Sequence, residues 1–201
     1  MVWVLFDYAL VISEPQPLDA MAGMAAALGA DAAAFEAAYW LHRDAYDRGE
    51  LSYADYWAGV AATLGATTDE DITEDLNERD VDSWLVASAG TLAVITDLVG
   101  AGVPVAVLSN APLPIALAVS YQEWAALFDG RLYFSSQLGA SKPSPEVFRR
   151  VVAELGATAD DVVFVDDRAD NIAAARAVGL RSLLFTDAAE LREDLRSLGL
   201  L

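Results

Sequence analysis

The sequence predicts an α/β protein in which a doubly wound, Rossmann-like parallel sheet carries an inserted helical-bundle cap. Over most of the chain, short apolar runs alternate with helical patterns, which is typical of parallel strands joined by helices on both faces of a sheet. The exception follows the first strand, where four helical patterns come in succession without a strand between them. We therefore predict a core domain, residues 1–13 and 89–201, and a cap domain, residues 14–88.

The first strand is an unbroken apolar run over residues 2–6 that ends at one carboxylate, Asp7. Such a run of β-branched and aromatic residues favours a strand buried on both faces. An unpaired charge costs several kcal/mol in a protein interior, so Asp7 either lies at the open end of the sheet beside a cation or begins an ordinary loop. Pro15 and Pro17 end the strand pattern, because proline does not fit a central strand.

The cap is rich in alanine and other good helix formers. Asp31 and Ser52 stand where helix N-caps are expected, and glycines stand where helices are expected to end. The chain's single histidine, His42, lies among aromatic residues, where packing and proton transfer are both open interpretations. Together these signals predict four helices over residues 18–29, 31–48, 52–65 and 69–84.

From about residue 90 the pattern alternates between helix and strand. Buried strands are predicted over 103–108, 131–134, 161–165 and 180–185. Helices are predicted over 90–100, 113–120, 145–156, 169–178 and 187–198, with a helical turn at 124–128. Residues 135–142 are predicted to be a loop that leads, through Lys142, to the helix beginning near Pro145.

Composition narrows the classes of function. Lys and Arg total 12 of the 201 residues against 31 Asp and Glu, and the net charge of −19 argues against a nucleic-acid partner. The chain has no cysteine, which excludes disulfides and thiolate metal sites. There is no apolar run of about 18 residues and no basic leader segment, so we expect neither a membrane span nor a signal peptide, and we expect a cytoplasmic location. The oligomeric state is left open.

Polar side chains follow the buried strands at the ends that a parallel sheet brings to one edge, where ligands bind. In chain order they are Asp7, Ser109, Asn110, Lys142, Asp166 and Asp167. A carboxylate can attack phosphorus, carboxylates and a substrate phosphate hold Mg²⁺, and a lysine neutralises the charge that develops on both. The set therefore predicts phosphoryl transfer. A metal ion and Lys142 would also offset the repulsion between this acidic chain and an anionic substrate.

Four segments of the chain carry a family resemblance. They are Leu5-Phe6-Asp7-Tyr8, Leu108-Ser109-Asn110, Ser141-Lys142-Pro143-Ser144-Pro145-Glu146 and Phe164-Val165-Asp166-Asp167-Arg168-Ala169-Asp170-Asn171. In order, spacing and placement they resemble the motifs of the haloacid dehalogenase-like hydrolase superfamily, with a helical cap after the first motif. The sequence looks closest to the branch of sugar-1-phosphate phosphatases and of the N-terminal phosphatase of some epoxide hydrolases.

The resemblance implies roles for the residues at the sheet edge. Asp7 would be the nucleophile, and Ser109 and Asn110 would bind the phosphate. Lys142 would stabilise the attacking site and contact the same phosphate. The implied substrate is a small phosphorylated molecule.

The resemblance also implies a magnesium site. Mg²⁺ would be held by the side chains of Asp7 and Asp167 and by the backbone carbonyl of Ala9. Asp166 and Asn171 are implied only as neighbours that hold these groups in place.

Two positions depart from the family's pattern. Related phosphatases usually carry a second aspartate two residues after the nucleophile as acid and base, and this chain has Ala9 there. Such a group is worth about 10²–10⁴-fold in rate. Leu10 is the second departure, because a small residue is usual in that tight turn.

The predicted function is that of a Mg²⁺-dependent phosphatase, which hydrolyses a small phosphorylated metabolite through an aspartyl-phosphate on Asp7. Ala9 leaves two alternatives open. One is a 2-haloacid dehalogenase, in which Asp7 displaces halide without a metal. The other is a catalytically weak relative that binds a phosphorylated ligand.

Overall fold

The computed structural model describes all 201 residues and contains one five-stranded sheet in the order β3-β2-β1-β4-β5. Every neighbouring pair of strands is parallel, which confirms the predicted fold class. Because β1 is the central strand, its end lies between the ends of β2 and β4. The strands are β1 Trp3–Phe6, β2 Val105–Ser109, β3 Leu132–Phe134, β4 Val162–Asp166 and β5 Arg181–Leu184.

Eleven α-helices accompany the sheet. The five between β1 and the rest of the sheet are α1 Leu18–Ala27, α2 Ala32–Leu41, α3 Arg43–Asp47, α4 Tyr53–Thr63 and α5 Glu70–Ser83. The other six are α6 Ala89–Gly100, α7 Leu113–Ser120, α8 Ser135–Leu138, α9 Pro145–Glu154, α10 Ala169–Ala177 and α11 Ala188–Ser197. No single helix is both long and apolar enough to cross a bilayer; α1 and α2 pass such a test only when taken together, and they meet at 90°.

The two faces of the sheet pack into two separate apolar clusters. Val4 and Phe6 point to one face, where the cluster includes residues of α6, α7 and α11. Leu5 points to the opposite face, where the cluster includes residues of α9 and α10. This alternation follows from the two-residue period of a strand, and burial on both faces explains why the first strand is apolar throughout.

The segment between β1 and α6 packs around an apolar cluster of its own. Its largest side chains are aromatic and fully buried, among them Phe35, Tyr39, Tyr56 and Trp57. An isolated antiparallel bridge between Ser13 and Ala87 joins the two ends of the segment. The boundaries of the cap, residues 14–88, stay a prediction, and we refer to this segment as the cap.

Two predictions of local structure are wrong. The helix predicted over 31–48 is interrupted by a turn at His42, and the predicted loop over 135–142 begins with the short helix α8. Strong helix formers on both sides of His42 conceal a distortion of one residue, because helical periodicity is averaged over several turns. The single turn of α8, which ends at Gly139 with φ +66°, is too short to produce a periodic signal.

Candidate active site

The open edge of the sheet brings together the side chains that follow its three inner strands. Asp7 follows β1, Ser109 ends β2, and Asp166 ends β4 with Asp167 directly after it. Ser109 and Asp166 are therefore on either side of Asp7, since β2 and β4 are its neighbours in the sheet. All but Asp166 line one cavity of about 600 Å³ between the sheet edge and the cap.

Lys142 lies at the centre of this group. It is the only lysine in the chain, and its side chain is 1% exposed. Its Nζ lies 2.8 Å from Asp7 Oδ1 and 2.7 Å from Asp166 Oδ2. A lysine is rarely buried unless it is paired. The two carboxylates supply that pairing, and the lysine in turn stabilises their negative charge.

Asn110 fixes the loop that carries Lys142. Its side-chain amide donates to the backbone carbonyl of Lys142 at 2.8 Å, and its side-chain oxygen accepts from the Lys142 backbone amide at 2.9 Å. Asn110 also lines the cavity, where one hydrogen of its amide is left for a ligand. The structure therefore gives Asn110 a positioning contact that the sequence did not predict.

The two carboxylates at the end of β4 have different surroundings. Asp166 is fully buried and accepts from Lys142, from the Arg168 backbone amide at 2.8 Å and from the Asn171 amide at 3.0 Å. Asp167 is half-buried and faces the cavity. Asp166 is thus committed to protein contacts, whereas Asp167 is available to a ligand.

The carboxylates fit a hard divalent cation. One oxygen each from Asp7, Asp166 and Asp167 can be chosen so that all lie within 4.8 Å of one another. Oxygen ligands of this type are those that Mg²⁺ prefers, and it usually takes one or two protein carboxylates with water and substrate phosphate. Because Asp166 is already satisfied by protein donors, Asp7 and Asp167 are the carboxylates that suit the ion.

The electrostatics of the cluster also favour an added positive charge. Burial raises the pKa of Asp7 from 3.8 to about 7, although the Lys142 ammonium opposes this shift. Burial and the neighbouring Asp166 carboxylate also raise the pKa of Asp167. Three carboxylates and one lysine leave an excess of two negative charges, which a divalent metal ion would balance and a single proton would balance only in part.

Ser109 presents a buried hydroxyl that has no hydrogen-bond partner in the protein. Its Oγ is among the few buried side-chain oxygens without one, and the residue is 1% exposed and lines the cavity. A buried polar group left unpaired costs about 1–3 kcal/mol. An oxygen of a bound phosphate would satisfy this hydroxyl.

The cap contributes one wall of the cavity, which the sequence did not predict. Trp40, Arg43, Asp44 and Asp47 line it from α2 and α3. Arg43 is buried, with its Nε 2.8 Å from Asp47 Oδ1 and its Nη1 3.0 Å from Asp80 Oδ2. The one sequence signal for this wall is a charged residue, Arg43, within an aromatic and apolar helical stretch.

His42 lies away from the cavity. Its Nε2 is 3.1 Å from Thr63 Oγ1, and its ring lies against Gly59 on α4. The residue is not part of the cavity lining, so the structure gives no support to proton transfer by His42. Packing within the cap is the interpretation that fits its contacts.

The residues directly after Asp7 form the floor of the cavity. Ala9 and Leu10 both line it, and no acid stands at position 9. Leu10 has φ +62°, in the left-handed region that a leucine rarely adopts. The tight turn that the sequence predicts here is therefore present, with a large side chain where glycine would be unstrained.

The comparisons with known proteins decide the family. The family model described as "haloacid dehalogenase-like hydrolase" matches residues 9–179. The chain belongs to this family of hydrolases. The hydrolase is 30% identical over 155 residues to the sesquiterpene phosphatase astK of Aspergillus oryzae, with 76% of each chain covered.

Solved structures share the fold of this hydrolase. A HAD-family enzyme from Bacteroides thetaiotaomicron, in complex with magnesium and inorganic phosphate, has a TM-score of 0.75 at 17% identity and covers 95% of this chain and 98% of its own. An L-2-haloacid dehalogenase from Xanthobacter autotrophicus has a TM-score of 0.70 at 19% identity and covers 98% and 83%. At these identities the likeness shows the fold alone, and the resemblance to the sugar-1-phosphate phosphatase branch stays a prediction.

Proposed function

We propose that this hydrolase is a Mg²⁺-dependent phosphatase that hydrolyses a small phosphorylated metabolite through an aspartyl-phosphate on Asp7. The observation that carries the proposal is the pairing of Asp7 with Lys142 at a cavity that also exposes Asp167. An attacking carboxylate, an adjacent cation and a free carboxylate for a metal are the groups that phosphoryl transfer onto an aspartate requires. The relative from Aspergillus oryzae is named for a terpenoid substrate; for this chain we propose the wider class of phosphate monoesters.

The two carboxylate oxygens of Asp7 differ in their contacts. Oδ1 accepts from the Tyr8 backbone amide at 2.6 Å and pairs with Lys142 Nζ at 2.8 Å, whereas no protein donor is hydrogen-bonded to Oδ2. Two donors on one oxygen fix the orientation of the carboxylate. Oδ2 is then the oxygen that attacks phosphorus, forming the new O–P bond as the ester O–P bond breaks and the alcohol departs. Water then attacks the phosphoryl group on Asp7, which releases inorganic phosphate and restores the carboxylate.

The remaining residues bind and orient the phosphate. The unpaired Ser109 hydroxyl donates to a phosphate oxygen, and the free hydrogen of the Asn110 amide is available to another. Asp7, Asp167 and the Ala9 carbonyl would hold Mg²⁺, which when bound supplies positive charge to the phosphate oxygens. Asp166 holds Lys142 in place from the opposite side.

Ala9 determines which esters react well. Ala9 stands two residues after the nucleophile, where an acid would protonate the oxygen of the leaving group. That oxygen therefore departs without a proton donor from this position. We therefore propose that esters of acidic leaving groups, such as phenyl and acyl phosphates, react faster than esters of simple alcohols.

The proposal is tested by phosphate release from acetyl phosphate, p-nitrophenyl phosphate and a panel of metabolite phosphates. We expect release that requires Mg²⁺, stops with EDTA and falls by at least about 10³-fold in Asp7→Asn. Halide release from 2-chloropropionate that is insensitive to EDTA would instead identify a dehalogenase. Thermal stabilisation by a phosphorylated ligand without any turnover would identify a binding relative. The expected cytoplasmic location stays a prediction.

A further inference from the structure

Leu10 is an unusual residue for the conformation it adopts. It lies three residues after Asp7 on the cavity floor, is 42% exposed, and has φ +62°. One other non-glycine residue has positive φ, the exposed Asp129 in a turn, and aspartate tolerates this region better than leucine does. Strained conformations persist at sites where they serve binding or catalysis. The strain at Leu10 places a large apolar side chain in the cavity.

The cap places a second exposed apolar side chain in the same cavity. Trp40, at the end of α2, is 48% exposed, and its ring meets that of Tyr39 edge-on at 4.9 Å. Ile115 and Trp84 extend the apolar lining from α7 and from the end of α5. Leucine and tryptophan left accessible in a cavity are typical of a binding site rather than of a packed core.

The positive charges in the cavity are already neutralised. The guanidinium of Arg43 pairs with Asp47 and Asp80, and that of Arg168 pairs with Asp170 at 2.7 Å. Outside the group around Lys142, therefore, each cation that lines the cavity already has a carboxylate partner in the protein. This arrangement favours a substrate whose part beyond the reacting phosphate is uncharged.

We propose that this hydrolase acts on phosphate monoesters of uncharged, mainly apolar alcohols, whose hydrocarbon part packs against Leu10 and Trp40. The inference rests on the proposed phosphatase function and names its substrate class. The cavity of about 600 Å³ is large enough for such a group in addition to the phosphate, because ligand cavities of about 300–1,000 Å³ take molecules of drug size.

A homologous series of n-alkyl phosphates, from ethyl to octyl, tests the inference. Beyond ethyl the leaving alcohols have nearly equal acidity, so the series isolates apolar contact from the chemistry of the reacting phosphate. We expect kcat/KM to rise by about two- to fourfold per methylene, up to the length that fills the cavity, since each buried methylene favours binding by up to about that factor. Glycerol phosphate serves as the polar reference and should fall well below butyl phosphate.

Variants at the two apolar residues locate the effect. In Leu10→Gly and in Trp40→Ala we expect the rise of kcat/KM per methylene to be at least halved. The melting temperature of Leu10→Gly should be no lower than that of the wild type, because the backbone strain at residue 10 is relieved. Asp129→Gly is the matched control: it relieves the other positive φ away from the cavity and should leave the chain-length series unchanged.

The experiment distinguishes failure of the proposed substrate class from failure of the proposed phosphatase function. If acetyl phosphate is hydrolysed but the alkyl series is flat or releases no phosphate, or glycerol phosphate is preferred, the apolar substrate class is wrong and the phosphatase function stands. If neither acetyl phosphate nor p-nitrophenyl phosphate releases phosphate, the proposed function itself fails.

Discussion

Ala9 is the residue whose identity has the most direct chemical consequence. Ala9 lines the cavity two residues after Asp7, and its methyl side chain can neither donate nor accept a proton. In the proposed mechanism, phosphorylation of Asp7 by an alkyl ester requires the alcohol to depart without a positioned acid. A positioned acid contributes about 10²–10⁴-fold to such a step.

Ala9→Asp should therefore increase activity on alkyl phosphates. We expect kcat/KM for butyl phosphate to rise by at least about tenfold, and that for p-nitrophenyl phosphate to change little, because its leaving group needs no proton. Phosphate release measured for both substrates checks this, and Ala9→Asn, with a similar shape and no proton to give, is the control. An equal effect of both variants would contradict the idea that proton transfer is the missing function.

Asp47 shows how burial can outweigh an ion pair. Its carboxylate pairs with Arg43 at 2.8 Å, yet burial raises its pKa from 3.8 to about 6. The charged groups around it are Arg43, which lowers the pKa, and Asp80 and Asp44, which raise it. The folded state therefore holds a proton on Asp47 at pH values where the unfolded chain has lost it.

The pH dependence of stability should reflect this proton. Between about pH 4 and pH 6 the folded state binds more protons at Asp47 than the unfolded state, so the free energy of unfolding falls as the pH rises. Relative to Asp47→Asn, we expect the wild type to lose on the order of 2 kcal/mol from pH 4 to pH 7 in urea titrations. A wild type that gains stability over this range, relative to the variant, would mean that the Arg43 pair dominates instead.

At the scale of elements, α3 determines how the cap meets the core. The Ser135 hydroxyl, at the start of α8, donates to the backbone carbonyl of Asp47, at the end of α3. Gly49, with φ +74°, follows closely, and a Cβ added there would lie 2.8 Å from the carbonyl oxygen of Ser136. This contact between backbones fixes the cap wall of the cavity over the sheet edge.

Gly49→Ala should disturb that contact. The added methyl group both strains the backbone and pushes α3 from α8, so we expect KM to rise several-fold and stability to fall by about 2–4 kcal/mol. Gly65→Ala is the control, because Gly65 has φ +71° and nothing within 4 Å of an added Cβ. Steady-state kinetics and urea titrations of both variants separate backbone strain from the displacement of α3 relative to α8. An unchanged KM in Gly49→Ala would show that the contact does not position the cap.

Strands and the residues at their ends could be predicted because they follow local rules. An apolar run such as Val2–Phe6 identifies a buried strand, and parallel topology brings Asp7, Ser109 and Asp166 to one edge. The interruption at His42 and the single turn of α8 could not be predicted, because neither changes the hydrophobic period. Element boundaries otherwise differ from the prediction by one or two residues at most positions.

At the scale of the whole molecule, the fold buries the single lysine of a strongly acidic chain among carboxylates. Of the 201 residues, 31 are Asp or Glu, and the only lysine is buried between Asp7 and Asp166. Apart from His42, the other basic residues are arginines, so the one lysine ammonium group of the chain is the cation that pairs with Asp7 and Asp166.

The cap wall of the cavity could not be predicted from sequence. Trp40 and Arg43 are ordinary members of an aromatic helical stretch until the cap is docked onto the sheet. That docking depends on contacts between distant segments, such as Ser135 with Asp47, which no local pattern encodes. The convergence of polar side chains at the sheet edge is thus predictable from sequence, whereas the cap wall of the cavity is not.

Trapping the phosphorylated enzyme tests the nucleophilic role of Asp7 most directly. The holoenzyme is mixed with Mg²⁺ and acetyl phosphate, quenched in acid and digested, and the peptide that gains one phosphoryl group is identified by mass spectrometry. We expect the group on Asp7, absent with EDTA and absent in Asp7→Asn. A phosphoryl group on any other residue, or turnover of acetyl phosphate that persists in Asp7→Asn, would contradict the proposed mechanism.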